Sequence, residues 1–299
     1  GSHLVDFLIA EGNTVKIIDT LVAHGGKNLN SKAEHFDLSI ADGNIRPLFD
    51  GVEYVFHLAA LPRIQPSIQN PREFHDVNVT GTLNVLIAAR DARVRRVIYS
   101  ASSSAYGDQE SLPLTEQMAP RPRNPYAVQK VMGEMYCKIF SDLYDLDTVS
   151  LRYFNVYGSR QPETGAYATV IGIFLKQRRE GNPMTIVPDG TQARDFTHVS
   201  DIVRANYLAM KSSASFNGDI INIGTGKEYA IRDVAEMIGG STVVIAPRLG
   251  ESRITRADIT KAKKLLQWEP VITLRDGIET LKKENRPPLR QAFSGHHKV

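Results

Sequence analysis

The chain has 299 residues, 42% of them hydrophobic, which is enough for one large α/β domain or two smaller ones. A net charge of +3 excludes a general affinity for polyanions, so nucleic acid is not an expected partner; the basic clusters Arg93-Val94-Arg95-Arg96 and Lys176-Gln177-Arg178-Arg179 read as solvated surface. The single cysteine, Cys137, excludes an intramolecular disulfide and a CxxC metal site, and with no apolar run near ~18 residues and no visible signal peptide, no membrane partner is expected and a cytoplasmic location is.

In chain order, Gly1-Ser2-His3 leads into an amphipathic helix over 4–9, ended by Gly12-Asn13, and then a buried strand over 14–18 that finishes at Asp19. Helix, turn, strand and acid make the second half of a dinucleotide-binding unit, in which a third glycine opens the helix and an acid roughly 20 residues on bonds a ribose hydroxyl. Gly1 fits that glycine and Asp19 that acid. The strand and two glycines expected before them are absent, so the chain reads as truncated at its start. Short strands follow at 35–38 and 52–58, the latter running into His57-Leu58-Ala59-Ala60-Leu61. Small residues just past a strand suit a cofactor lying against the backbone, or equally a tight packing contact. A helix is expected over 73–92 and a strand over 97–99, breaking into the serine run Ser102 to Ser104.

After a polar, proline-studded loop, Asn124-Pro125-Tyr126 reads as a helix start, because Asn caps and Pro is tolerated in the first turn. On that helix, expected to reach about Tyr144, Tyr126 and Lys130 share a face with Cβ atoms about 6 Å apart. An ammonium there favours the phenolate, as does the positive end of the helix dipole, so a tyrosine of ordinary pKa about 10 could act as a base near neutrality. The same spacing occurs in ordinary surface pairs; the strand-end serines upstream favour the chemical reading. A strand over 148–153 completes an alternation of strands and helices that indicates a parallel sheet covered on both faces. Beyond 155, glycines and prolines punctuate shorter elements: a strand entering a helix over 194–210, with His198 as a packed strand-end histidine, a strand over 220–223, and helices over 232–238 and 259–266. The stretch 285–299 reads as a frayed tail, and His296-His297 within it are a weak basis for metal, so none is expected.

Five motifs act in combination: ASSSAYG at 101–107, PYAVQK at 125–130, RYFNVYG at 152–158, DGTQARDFTHV at 189–199 and NIGTG at 222–226. With them the chain resembles the extended short-chain dehydrogenase/reductase family, above all its UDP-glucose/UDP-N-acetylglucosamine 4-epimerases, from residue 1 to about 277. The resemblance implies an α/β fold: a doubly wound, Rossmann-like parallel sheet, here without its first strand, and a smaller interwoven α/β domain for the nucleotide sugar. It implies an NAD-binding domain over 1–155 with a returning segment near 196–224, and a mainly substrate-binding domain over 156–299. By position, Tyr126 is implied as catalytic base, Lys130 as its pKa-lowering partner and Ser102 as the hydroxyl bonded to the sugar 4-oxygen, with Ser103 the neighbouring fallback. For NAD, Gly1 takes the third glycine's place, Asp19 the adenosine ribose, Asp37 and Leu38 the adenine, and Leu58, Ala59, Ala60, Leu61 and Asn78 the pyrophosphate and nicotinamide ribose. Asn155, Arg194 and Arg248 match positions that hold the diphosphate and uridine end, where an arginine's planar fork can donate twice. Thr255 stands where a small residue goes with acceptance of N-acetylated sugars and a tyrosine with their exclusion. The dehydratase and decarboxylase branches carry an acid just after the catalytic hydroxyl; Ser103-Ser104 here favour epimerisation. Alternatives are a 4,6-dehydratase, a uronate epimerase, or an inactive NAD-binding fragment, and a homodimer is what the family leads one to expect.

Overall fold

The computed structural model describes residues 1–22, 25–165, 168–246, 250 and 252–284. The first half runs α1 (Ser2–Ala10), β1 (Lys16–Ile18), β2 (Glu34–Phe36), β3 (Tyr54–His57), α2 (Ile64–Gln69), α3 (Pro71–His75), α4 (Gly81–Asp91), β4 (Arg96–Ser102), α5 (Pro125–Tyr144) and β5 (Asp147–Tyr153). The second half runs β6 (Val156–Tyr157), α6 (Val170–Arg179), β7 (Met184–Ile186), β8 (Ala193–Asp195), β9 (Thr197–His198), α7 (Val199–Lys211), β10 (Asp219–Ile223), β11 (Glu228–Ala230), α8 (Ile231–Ile238), β12 (Thr242–Val244), α9 (Thr260–Leu266) and α10 (Leu274–Glu284).

β4 and β5 are buried along nearly their whole length, as strands covered by helices on both sides must be. They form the centre of a parallel sheet of order β10-β5-β4-β3, in register Tyr54↔Arg96, Ser102↔Tyr153 and Ile223↔Tyr153. Alternate residues of β4 feed two cores. Ile98 packs with α1, α7 and α9, whereas Val97, Tyr99 and Ala101 pack with α4 and α5. A third core joins α6, β7, α8 and α10 around Phe174, Ile238 and Ile278. β1 pairs in parallel with β2 as a separate ribbon, so the sheet is in two pieces. The doubly wound α/β expectation holds, and β10 returns to the sheet from beyond residue 155.

The helix expected over 73–92 is three pieces. A five-residue π turn, Asp76–Thr80, separates α3 from α4. Gly81 presses on Ile40, whose Cγ1 would lie 2.7 Å from an added Cβ, and Thr82 Oγ1 donates back to Asn78 O at 2.7 Å. Wide turns of this kind concentrate at functional sites, and this one carries Asn78.

Candidate active site

The head of α5 is fixed before Tyr126 is placed. Asn124 Oδ1 accepts from Ala127 N at 2.9 Å and its Nδ2 donates to Gly250 O at 3.1 Å. Tyr126 N, one of the first-turn amides without a partner in its own helix, donates to Ser67 Oγ at 3.2 Å, and Ser67 Oγ donates to Ile64 O at 2.7 Å. Thus α2 is docked on the residue at issue.

One turn along α5, Lys130 is buried and donates to Ser100 O at 2.8 Å, with Nζ 4.9 Å from the centre of the Tyr99 ring. Burial pushes the Lys130 ammonium down to about 8, against the pull of Glu134 and Cys137, so it is charged at neutral pH with little margin. Ser102, at the end of β4, accepts from Ser104 N at 3.2 Å and from Ser104 Oγ at 2.8 Å. That leaves the Ser102 proton uncommitted, and Ser102 is the neighbour that most lowers the Tyr126 pKa. Burial raises the Tyr126 pKa, while the Ser102 hydrogen bond and then the Arg63 charge lower it. Lys130, expected as the cation that lowers that pKa, points its ammonium at the Ser100 carbonyl.

The loop 58–61 follows β3, with small, half-buried Ala59 and Ala60. Asn78 clamps it: Oδ1 accepts from Leu61 N at 2.8 Å, and Nδ2 donates to Leu61 O at 3.0 Å and to Gln129 Oε1 at 3.0 Å. Since Gln129 lies on α5 between Tyr126 and Lys130, one side chain ties this loop to that helix. Beneath it, His57 Nε2 is 2.8 Å from Thr82 Oγ1, whose proton is committed to Asn78 O. His57 Nε2 must then carry the hydrogen. The ring is neutral, since burial, and secondarily the Lys130 charge, hold its pKa at about 3.

A second group gathers at β8. Asn155 Nδ2 donates to Asp195 O at 3.0 Å and to Thr255 Oγ1 at 3.4 Å; Thr255 is buried, with its N bonded to Ala193 O at 3.1 Å. Arg194 Nη1 donates to Ala193 O and Arg253 O at 2.9 and 3.0 Å. Asp195 holds the group. Its buried carboxylate accepts from Thr225 N (2.8 Å), Thr225 Oγ1 (2.6 Å), Gly226 N (2.9 Å) and Ala257 N (3.1 Å). Burial raises its pKa against those four donors. The motif DGTQARDFTHV contains Asp195, but its four donors lie far off in sequence, so nothing local marks its role.

The remaining expected residues lie along the carboxyl edge of the parallel strands. Asp19 follows β1, exposed, with Oδ1 accepting from Leu21 N at 2.7 Å; Gly1 precedes α1. Asp37 is exposed past β2, and Leu38 N bonds Phe36 O at 3.0 Å. Ser103 is buried in the 3-10 turn Ser103–Tyr106. Arg248 and the tail 285–299 lie outside the described residues. An exposed acid after β1, a clamped small-residue loop after β3 and a buried ammonium on the Ser100 carbonyl of β4 fit a dinucleotide laid across the carboxyl ends of the strands.

Residues 1–224 match the NAD dependent epimerase/dehydratase family. The chain belongs to that family. NAD is its cofactor. It is 36% identical to the UDP-glucose 4-epimerase of Mycolicibacterium smegmatis, over 93% of this chain and 92% of that one. It is 33% identical to the UDP-glucuronate 4-epimerase of Thermodesulfobacterium geofontis, over 93% and 90%. Among solved structures, UDP-glucose 4-epimerase of Thermotoga maritima with UDP-glucose superposes with a TM-score of 0.91 at 35% identity, covering 96% of each chain. UDP-glucose 4-epimerase of Thermus thermophilus with NAD gives 0.89 at 30% identity, covering 97% of this chain and 96% of that one. UDP-N-acetylglucosamine 4-epimerase of Methanobrevibacter ruminantium, in complex with UDP-N-acetylmuramic acid, gives 0.88 at 33%, covering 95% of each. As a family member the chain is an NAD-dependent enzyme. Among the described residues, no helix is long and apolar enough to cross a membrane.

Proposed function

We propose that this enzyme interconverts the C4 epimers of a UDP-hexose through a transient 4-keto sugar, N-acetylated hexoses included. The observation that carries this reading is Ser102, held by Ser104 at the end of β4 and acting on the Tyr126 phenol, with Lys130 one turn along the same helix. NAD, held by the residues named below, would supply the hydride chemistry at C4. Tyr126 takes the proton of the sugar 4-hydroxyl and gives it back, while Ser102 orients that oxygen and Lys130 contributes positive charge. Asp19 accepts from the adenosine ribose, Asp37 and Leu38 flank the adenine, and Gly1 and the loop Leu58, Ala59, Ala60, Leu61, held by Asn78, lie along the pyrophosphate and nicotinamide ribose. Asn155, Arg194 and Arg248 hold the diphosphate and uridine end, with Ser103 a second hydroxyl near the sugar. The absence of an acid at Ser103-Ser104 supports epimerisation over elimination or decarboxylation.

Thr255 supports the N-acetyl reading. Its hydroxyl accepts from Asn155, which leaves its proton for an acetamido carbonyl, and it lacks the ring that would fill that space. UDP-glucuronate is the second candidate, supported by the Thermodesulfobacterium relative. A homodimer is supported by Val128, Met135, Ile139 and Leu143, large exposed apolar side chains at helical spacing on α5.

The test is Tyr126→Phe assayed on UDP-glucose, UDP-N-acetylglucosamine and UDP-glucuronate. Loss of turnover by roughly 10²–10⁴-fold, with nucleotide-sugar binding retained, is expected. Activity within a few-fold of wild type would remove Tyr126 as the base, and turnover confined to UDP-glucuronate would select the second candidate.

A further inference from the structure

The first turn of α5 holds one amide that the helix cannot serve itself. Of its first three residues, Pro125 has no N–H, and Ala127 N is taken by the Asn124 side chain at 2.9 Å. The amide that remains belongs to Tyr126. Its partner, Ser67 Oγ at 3.2 Å, comes from α2, 59 residues earlier in the chain.

Ser67 is 0% exposed, out of reach of bulk water, and its hydroxyl is committed in both senses. Its proton goes to Ile64 O at 2.7 Å, one turn back along α2, so a lone pair is left for the Tyr126 amide. The ties on either side hold neighbouring residues: Asn124 Nδ2 donates to Gly250 O, and Gln129 Oε1 accepts from Asn78. Ser67 holds the backbone of Tyr126 itself. A phenol stands at the far end of its side chain, so a slight tilt of the helix head is magnified at its oxygen. Misplacement of a reacting group by about 1 Å costs roughly 10²-fold in rate, and hydrogen bonds from neighbouring side chains are what prevent it.

We propose, on the reading of Tyr126 as the base, that Ser67 is a positioning residue for the reaction, setting the place of the phenol by holding that residue's amide to α2. Ser67 exchanges no proton in the reaction; the proton passes between the sugar 4-hydroxyl and Tyr126.

The test compares Ser67→Ala and Ser67→Thr on UDP-glucose, with Ser67→Ala also placed in the Tyr126→Phe background. Threonine keeps a hydroxyl that can bond the carbonyl one turn back, whereas alanine leaves the amide without its acceptor. Ser67→Ala should lower kcat by roughly 10- to 10²-fold with KM within about twofold of wild type, and Ser67→Thr should recover most of the loss. In the Tyr126→Phe background the alanine change should alter the residual rate by less than about twofold, since there is no phenol oxygen left to misplace. Ser67→Cys, close to serine in size but a weak acceptor, reads the same loss if the alanine variant does not fold. A kcat within about twofold of wild type in both the alanine and cysteine variants would overturn the proposal. An equal loss in the two backgrounds would overturn it too, since Ser67 would then support the fold and not the base. Turnover retained by Tyr126→Phe would overturn the base reading and this proposal with it, a result read without any Ser67 variant.

Discussion

At the scale of single residues, the proposed function puts the chemistry on Tyr126 and the selectivity on Thr255. The placement of Ser102 at the end of β4 and of Tyr126 and Lys130 on α5 is legible because its signals are local: a serine run at a strand end, an Asn-Pro helix start and an i,i+4 pair. The role of Asp195 is not, its four donors coming from 225–226 and 257. At Thr255, 6% exposed, a larger side chain has to grow into the space beside Asn155. Thr255→Tyr should therefore lose far more activity on UDP-N-acetylglucosamine than on UDP-glucose. Parallel assays check this, and equal losses would refute the selectivity reading.

At the scale of elements, α5 has two faces with different tasks. Tyr126, Lys130 and Glu134 point inward, whereas Met135 and Leu143 are 62% and 67% exposed on the outer side. A surface helix normally presents polar residues there, so an apolar stripe invites a second copy of the chain. Ile139→Lys should shift the molecule from dimer to monomer in sedimentation velocity, with melting little changed. A wild type that sediments as a monomer at tens of micromolar would contradict the dimer. The alternation of strands and helices was readable from apolar runs and turn residues; the break in 73–92 was not. Nothing local in Asp76–Thr80 forbids a regular helix, and the π turn answers to packing of Gly81 on Ile40 and of Thr82 on His57.

For the molecule as a whole, the buried neutral His57 couples stability to pH. Its folded pKa, about 3, lies below the ordinary 6.5, so the unfolded chain binds more protons across that interval. The contribution is complete above 6.5 and is lost as pH falls towards 3, amounting to about 3 kcal/mol by pH 4.5. His57→Gln should give a flatter fall in stability between pH 7 and 4.5, read from urea midpoints at each pH; parallel curves for the two proteins would refute the assignment. The central claim concerns the whole catalytic cycle, in which hydride leaves C4 and returns to the same carbon while the sugar turns between Tyr126 and the β8 group. The most direct measurement is incubation with UDP-[4-2H]glucose in the presence of NAD, with the product analysed by NMR and mass spectrometry. The account predicts UDP-galactose that keeps its deuterium at C4. Deuterium lost to solvent, or no galactose epimer from this substrate, would contradict it.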